Sequence, residues 1–339
     1  MSKVKFIDVS KWKRERHVHT SGTRNKNILT SNKNANKYYF KKSLLKPNKD
    51  YKYEFWSEVI ASQVGEFLGF DVVHYDVAFF EKEIGCISKS VIDWNNEELT
   101  EGYAFIIEKY PNFQYDFKKT HSFQKIITSL KTLELEHCIR NVIDMIIFDA
   151  IIGNTDRHSE NWAVILSNKE VIEALKRIEK LPWYKKQILR FSLFLKTKGK
   201  VTLSEIRKNV KKNSYKFSPL YDNGSSLGRE LSNERIESML KNDSEFDRFI
   251  SNGKPDIRWN EKHLNHFDLI NTIKLDYGDK VSFTLDRIRK KYNKNIIKNL
   301  VNNIDGKMPL NFTDYKIPQN RKDFIIKYIN TRINILLNN

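Results

Sequence analysis

Asp156-Arg157-His158-Ser159-Glu160-Asn161, introduced by Gly153-Asn154-Thr155, is followed much later by Leu220-Tyr221-Asp222-Asn223-Gly224-Ser225. These two stretches decide the reading of the chain. They supply an Asp, an Asn and a second Asp, and Asp156 and Asn161 are close enough in sequence to sit on one short loop and face one cleft. Phosphoryl transfer from a nucleotide asks for this set. Metal ions must be held against the charged phosphates by oxygen ligands, and a separate carboxylate must orient the attacking hydroxyl and take its proton. Taken singly each residue has an ordinary reading as a turn or capping residue; together they point to phosphotransfer.

Working outward, Cys138 to Ile152 reads as a strongly apolar helix leading into the Asp156 loop, and Trp162 to Leu166 as a short buried strand leaving it. Upstream, Lys37-Tyr38-Tyr39-Phe40-Lys41 is aromatic and suits a strand. Phe55, Val59, Ile60, Val64, Phe67 and Leu68 repeat at helical spacing within Tyr53 to Leu68, with Gly69 as C-cap. Asp71 to Phe80 and Ile84 to Ile92 read as strands around a turn at Glu81-Lys82-Glu83, and Ala104 to Glu108 as a further apolar strand. From about residue 120 the pattern is helical, with stretches near 232–242, 262–274, 280–303 and 320–337. The expected fold class is α+β: a small β-rich lobe over 1–108, a linker at Lys109-Tyr110-Pro111-Asn112, and a larger helical lobe over 113–339.

The chain has 339 residues, 40% hydrophobic and 12% aromatic, which suits a packed core and excludes a disordered protein. Its two cysteines, Cys86 and Cys138, offer no zinc or disulfide pattern. No signal peptide or membrane-spanning run is read, so a cytoplasmic location is expected. The net charge of +18 is concentrated. Residues 11–49 carry 12 Lys and Arg against one Glu, and residues 169–216 carry 15 against four Glu, +11 in each block. The second block, an insertion over about 168–216, has apolar positions (Val171, Ile172, Leu175, Ile178, Ile188, Leu189, Phe191, Leu193, Phe194) that predict a packed basic helical element. Its charge and aromatics suit an acidic protein, RNA or an anionic lipid surface as partner.

Asp156-x-His158-x-x-Asn161 after Gly153-Asn154, with the later Leu220-Tyr221-Asp222-Asn223-Gly224-Ser225, resembles the HipA-like serine/threonine kinases of bacteria, including the CtkA-type members. The Asp-Arg-His form is also similar to phosphatidylinositol kinases. The resemblance implies a two-lobed protein-kinase-like fold, ATP and Mg2+ as cofactors, and Ser or Thr of a protein as acceptor. It implies Asp156 as the catalytic base, His158 as a brace of its loop, and Asn161 and Asp222 as metal ligands. It further implies a phosphate-binding lysine paired with Glu58, which is Lys41 by its Tyr-x-Phe-Lys context, with its neighbour Lys42 as the alternative. The main chain of Glu108-Lys109-Tyr110 would hold adenine. Ser21-Gly22-Thr23 would cover the phosphates in place of a Gly-rich loop, its hydroxyls inviting self-phosphorylation. Toxin or effector roles and an antitoxin partner also belong to the resemblance. A lipid kinase and a non-catalytic, nucleic-acid-binding pseudokinase are the alternatives.

Overall fold

The computed structural model describes residues 4–15, 26–46, 49–115, 120–197, 210–211 and 214–338. Among these, six strands form a sheet in the order β1-β7-β8-β4-β3-β2. Its strands are β1 (Phe6–Asp8), β2 (Lys13–Arg14), β3 (Asn27–Thr30), β4 (Lys37–Lys42), β7 (Tyr75–Phe80) and β8 (Glu83–Lys89), with β5 (Leu45–Lys46) and β6 (Lys49–Asp50) pairing separately. β1 runs parallel to β7 and the other pairs are antiparallel. Glu81 and Lys82 both take positive φ, 48° and 68°, the two-residue turn whose twist matches a hairpin. Helix α1 (Glu54–Leu68) packs against this sheet and is buried on almost every side, and Gly69 closes it at φ 81°.

A second, three-stranded sheet joins β9 (Glu97–Glu101), β10 (Ala163–Ser167) and β11 (Tyr215–Phe217), with the fully buried β10 in the centre. Helices make up most of the rest. They are α2 (Gly102–Lys109), α3 (Phe123–Thr132), α4 (Ile139–Ile152), α5 (Asn168–Glu179), α6 (Trp183–Thr197), α7 (Asn233–Lys241), α8 (Asp243–Asn252), α9 (His266–Lys291), α10 (Lys294–Asn302) and α11 (Gln319–Asn338). α4 is the central one, apolar on nearly all faces and packed by α9 and α11, as such an all-round hydrophobic helix must be. One main core runs from α1 through the second sheet to α4, α9 and α11. A smaller one (Val9, Leu29, Phe40, Ala78, Phe80, Ile87) covers the outer face of the six-stranded sheet. The two-lobed arrangement expected from the sequence is present.

Two expectations are corrected. The strand expected at Ala104–Glu108 is helical, as α2, and packs on α3. A short apolar run is ambiguous by pattern alone, and the choice is made by tertiary contact. Phe105 stacks on Trp162, and a Cβ on Gly102 would lie 2.0 Å from the Trp162 ring. Among its described residues, the insertion, which leaves β10 and returns at β11, packs on one side. Val171, Ala174, Leu175, Ile178 and Leu189 gather with Val210, whereas Ile172, Ile188 and Phe191 are exposed. Its helix α5 is capped by Ser167, whose Oγ accepts from the Glu170 N–H at 3.3 Å.

Candidate active site

Strand alternation settles which lysine enters the cleft. Phe40 turns into the outer core, so Tyr39 and Lys41 face the other way, toward α1 and the cavity. Lys41 Nζ lies 2.9 Å from Glu58 Oε1 and 3.2 Å from Asp222 Oδ1. Burial works against its charge, but Asp222 and Glu58 more than reverse that, and its pKa is raised well above the usual lysine value. Lys42 points outward to Glu83 at 2.6 Å in solvent. Glu54, one helical turn before Glu58, is engaged elsewhere: it accepts the Leu44 N–H at 2.9 Å and pairs with Arg229.

Glu58 does a second task. Its Oε2 accepts the Asn223 N–H at 2.8 Å, so the carboxylate that fixes Lys41 also fixes the Asp222 turn. The segment before that turn is laced to the first lobe, Leu220 N–H donating to Asp71 O at 2.8 Å and Val73 N–H to Leu220 O at 2.9 Å. Asp222 itself sits at φ 56°, the left-handed region that costs a non-glycine residue energy and persists where surrounding contacts hold it. Lys26 Nζ is 3.6 Å from its other oxygen.

The catalytic-type loop follows α4. Gly153, at φ 66°, ends the helix, and a Cβ there would overlap the Tyr328 hydroxyl. Arg157 then turns inward and is fully buried. It donates through Nε and Nη2 to Asp149 at 2.9 and 2.7 Å, through Nη1 to Asn161 O at 2.9 Å and Tyr221 O at 2.5 Å, and through Nη2 to Asn223 Oδ1 at 2.6 Å. A planar five-donor guanidinium can serve both loops at once. Burial opposes its charge, and Asp149 beside it raises its pKa nonetheless. His158, expected to brace its loop, accepts the Glu160 N–H on Nδ1 at 3.3 Å within that loop, and Arg157 adds the long-range brace. Asp156 N–H donates to Asn154 Oδ1 at 3.1 Å, its carbonyl accepts from Asn161 Nδ2 at 2.7 Å, and its Oδ2 accepts from Ser225 Oγ at 3.1 Å. Asp149, Arg157 and Ser225 were missed because nothing in their spacing distinguishes them from ordinary helix and loop polar residues.

A cavity of about 370 Å³ opens beside Lys41. Val73, Val91, Ile92 and Leu99 give it apolar walls, Tyr39 and Trp94 aromatic ones, and Lys26 and Lys41 line its charged side with Glu101. The wall opposite the sheet therefore comes from the segment after β8. Glu108, Lys109 and Tyr110, expected to hold adenine, do not line this cavity: they end α2, and Glu108 is exposed. Ser21, Gly22 and Thr23 lie outside the described residues.

The residues present fit a nucleotide with a divalent ion. Apolar and aromatic walls suit a base, and two lysines suit phosphates. Asn161 commits its amide nitrogen to Asp156, which presents its oxygen as the hard donor, and Asp222 supplies a carboxylate. Among the described residues no three His, Cys, Asp or Glu side chains gather as a metal cage.

No protein-family model matches the chain, and a search of curated proteins finds no match. Among solved structures, the Helicobacter pylori proinflammatory kinase CtkA superposes with a TM-score of 0.69 over 98% of this chain and 97% of that one, at 18% identity. The chain has the CtkA fold. HipA from a Shewanella oneidensis MR-1 toxin–antitoxin system, solved with HipB and operator DNA, gives a TM-score of 0.46 at 9% identity, covering 95% of this chain and 65% of that one. The CtkA-like architecture is the two-lobed kinase-like arrangement expected from the sequence, and Tyr221, next to Asp222, lines the cavity.

Proposed function

We propose that this protein is an ATP- and Mg2+-dependent HipA-like protein kinase that phosphorylates serine or threonine. The carrying observation is the convergence of Lys41, Glu58 and Asp222, with Arg157 joining the Asn161 and Asp222 loops through one guanidinium. The CtkA-like fold supports the reading.

In this reading Lys41, held by Glu58, contacts the phosphates, and Asn161 with Asp222 holds magnesium. The ion, when bound, would supply positive charge to offset the negative charge on the phosphate oxygens. Asp156 orients the acceptor hydroxyl and takes its proton as the new O–P bond forms and the bond to the leaving diphosphate breaks. Ser225, donating to Asp156 Oδ2, keeps that carboxylate in one orientation. Lys41 and Glu58 come from the first lobe and Asp156 from the second, so the two lobes must hold their relation for the site to be complete.

The lipid-kinase alternative rests on the Asp-Arg-His form of the motif and on the basic surface. Arg157 is fully buried and spends its donors on Asp149, Asn161, Tyr221 and Asn223, so its presence in the motif is accounted for by bracing and does not by itself favour a lipid acceptor. Phosphoamino-acid analysis of labelled protein tests the acceptor class: phosphoserine or phosphothreonine supports the proposal, and label confined to lipid when liposomes are added would overturn it.

A further inference from the structure

We propose that the hairpin of α5 and α6 is a membrane-docking element that seats Trp183, Tyr184, Ile188 and Phe191 in the headgroup layer of an anionic lipid bilayer. These side chains are 76%, 50%, 65% and 63% exposed, an unusual cost for four large apolar groups on one helix. With 3.6 residues per turn they fall within an arc of about 140° on α6. Leu189, on the opposite side, packs inward with Val171, Leu175, Ile178 and Val210. Among the described residues the helix is therefore packed on one face and left exposed on the other.

Charge selects the occupant. The block 169–216 carries 15 Lys and Arg against four Glu, and Lys176, Lys180 and Lys185 are exposed. A second copy would bring the same +11 against itself. Nucleic acid would satisfy the lysines but gives Ile188 and Phe191 no apolar medium. An anionic bilayer satisfies both, attracting the basic residues and taking the apolar ones into the headgroup and acyl boundary. Among the described residues no helix is long and apolar enough to cross a membrane, so the element would lie along the surface. Because the hairpin leaves and rejoins the second sheet without contributing Lys41, Glu58, Asp156, Asn161 or Asp222, docking is separable from phosphotransfer.

The test is co-sedimentation of the full chain with vesicles of phosphatidylcholine alone or mixed with phosphatidylserine. Wild type is expected to sediment with the mixed vesicles and not with the neutral ones. The combined variant Trp183→Ala, Ile188→Ala, Phe191→Ala is expected to lose at least about tenfold in partition with an unchanged melting temperature. Trp183→Phe should keep sedimentation but lose most of the lipid-induced blue shift of tryptophan fluorescence, which reads insertion directly and does not depend on the triple variant folding. Three results would each overturn the proposal: no binding to the mixed vesicles, binding undiminished in the triple variant, or a blue shift retained by Trp183→Phe. A lipid-free dimer abolished by the triple variant, or retention of an RNA oligonucleotide without vesicle binding, would reassign the face and equally overturn it.

Discussion

Arg157 and Asp149 form a fully buried two-pronged ion pair, Nε to Oδ2 at 2.9 Å and Nη2 to Oδ1 at 2.7 Å. The pair anchors the loop of Asp156 to the end of α4, while the same guanidinium reaches the carbonyls of Asn161 and Tyr221.

Arg157→Ala should strand the Asp149 carboxylate and cost about 3–5 kcal/mol of stability. Arg157→Lys should not rescue it, since a single ammonium cannot replace the fork. Pairing Arg157→Met with Asp149→Leu removes both charges and should recover most of the melting temperature. Phosphotransfer should stay lost, because the two loop carbonyls are no longer joined. Thermal melts and label transfer on the three variants check this; activity returning with stability would show the guanidinium to be merely structural.

Lys41 and Lys42 should separate sharply. Lys41→Met removes the cation between Glu58 and Asp222 and is expected to lower the rate by about 10²–10³-fold. Lys42→Met removes an exposed pair with Glu83 and should change rate and stability little. Steady-state rates of the two variants decide between them.

Much of this was legible in the sequence, and the gaps have physical causes. Gly69 and Gly153 announced the ends of α1 and α4 because a left-handed C-cap favours glycine. Asp156, Asn161 and Asp222 were legible as a chemical set. Lys41 could be preferred to Lys42 only on its Tyr-x-Phe-Lys context, because adjacent strand residues face opposite ways and the choice depends on which face of β4 meets α1; the preferred Lys41 is the one that meets Glu58. Arg157 was opaque for another reason: its partners Asp149 and Asn223 are local on one side and 66 residues distant on the other. The exposed face of α6 misled, since apolar residues at helical spacing predict packing whether or not a neighbour exists.

Stability should fall on acidification from an identifiable source. His121 is fully buried with no hydrogen-bond partner for either ring nitrogen, and burial first, then the neighbouring His158 and Lys125, push its pKa down to about 3. His266 is likewise depressed, by burial and then Arg332. Both stay neutral in the folded state while the unfolded chain protonates near 6.5. Their contribution is therefore complete above that pH and is lost as pH falls below it, for His121 through the window from 6.5 toward 3. In that window His121 should cost about 1.4 kcal/mol per pH unit. Denaturant melts at pH 7 and pH 5 should show a shallower loss in His121→Phe than in wild type; parallel losses would contradict the assignment.

Gly85 sits opposite Lys42 in the β4–β8 ladder, and a Cβ on it would lie 2.1 Å from the Lys41 carbonyl oxygen. Gly85→Ala must displace the backbone that carries Lys41. It is expected to weaken nucleotide binding and cost about 1–3 kcal/mol, measured by calorimetric titration and melts. Unchanged nucleotide affinity would show that the position of Lys41 is less tightly set than the strand pairing implies.

The most direct test of the central claim is transfer of label from γ-labelled ATP with magnesium, with the purified protein and a cell lysate as acceptors. Wild type is compared with Asp156→Ala and Asp222→Ala, each confirmed as folded. The account expects label on protein from wild type and a loss of about 10²–10⁴-fold with Asp156→Ala. A comparable loss is expected with Asp222→Ala, which removes the carboxylate proposed to bind the metal. Transfer that persists in both variants, or a folded wild type that binds no ATP, would contradict it.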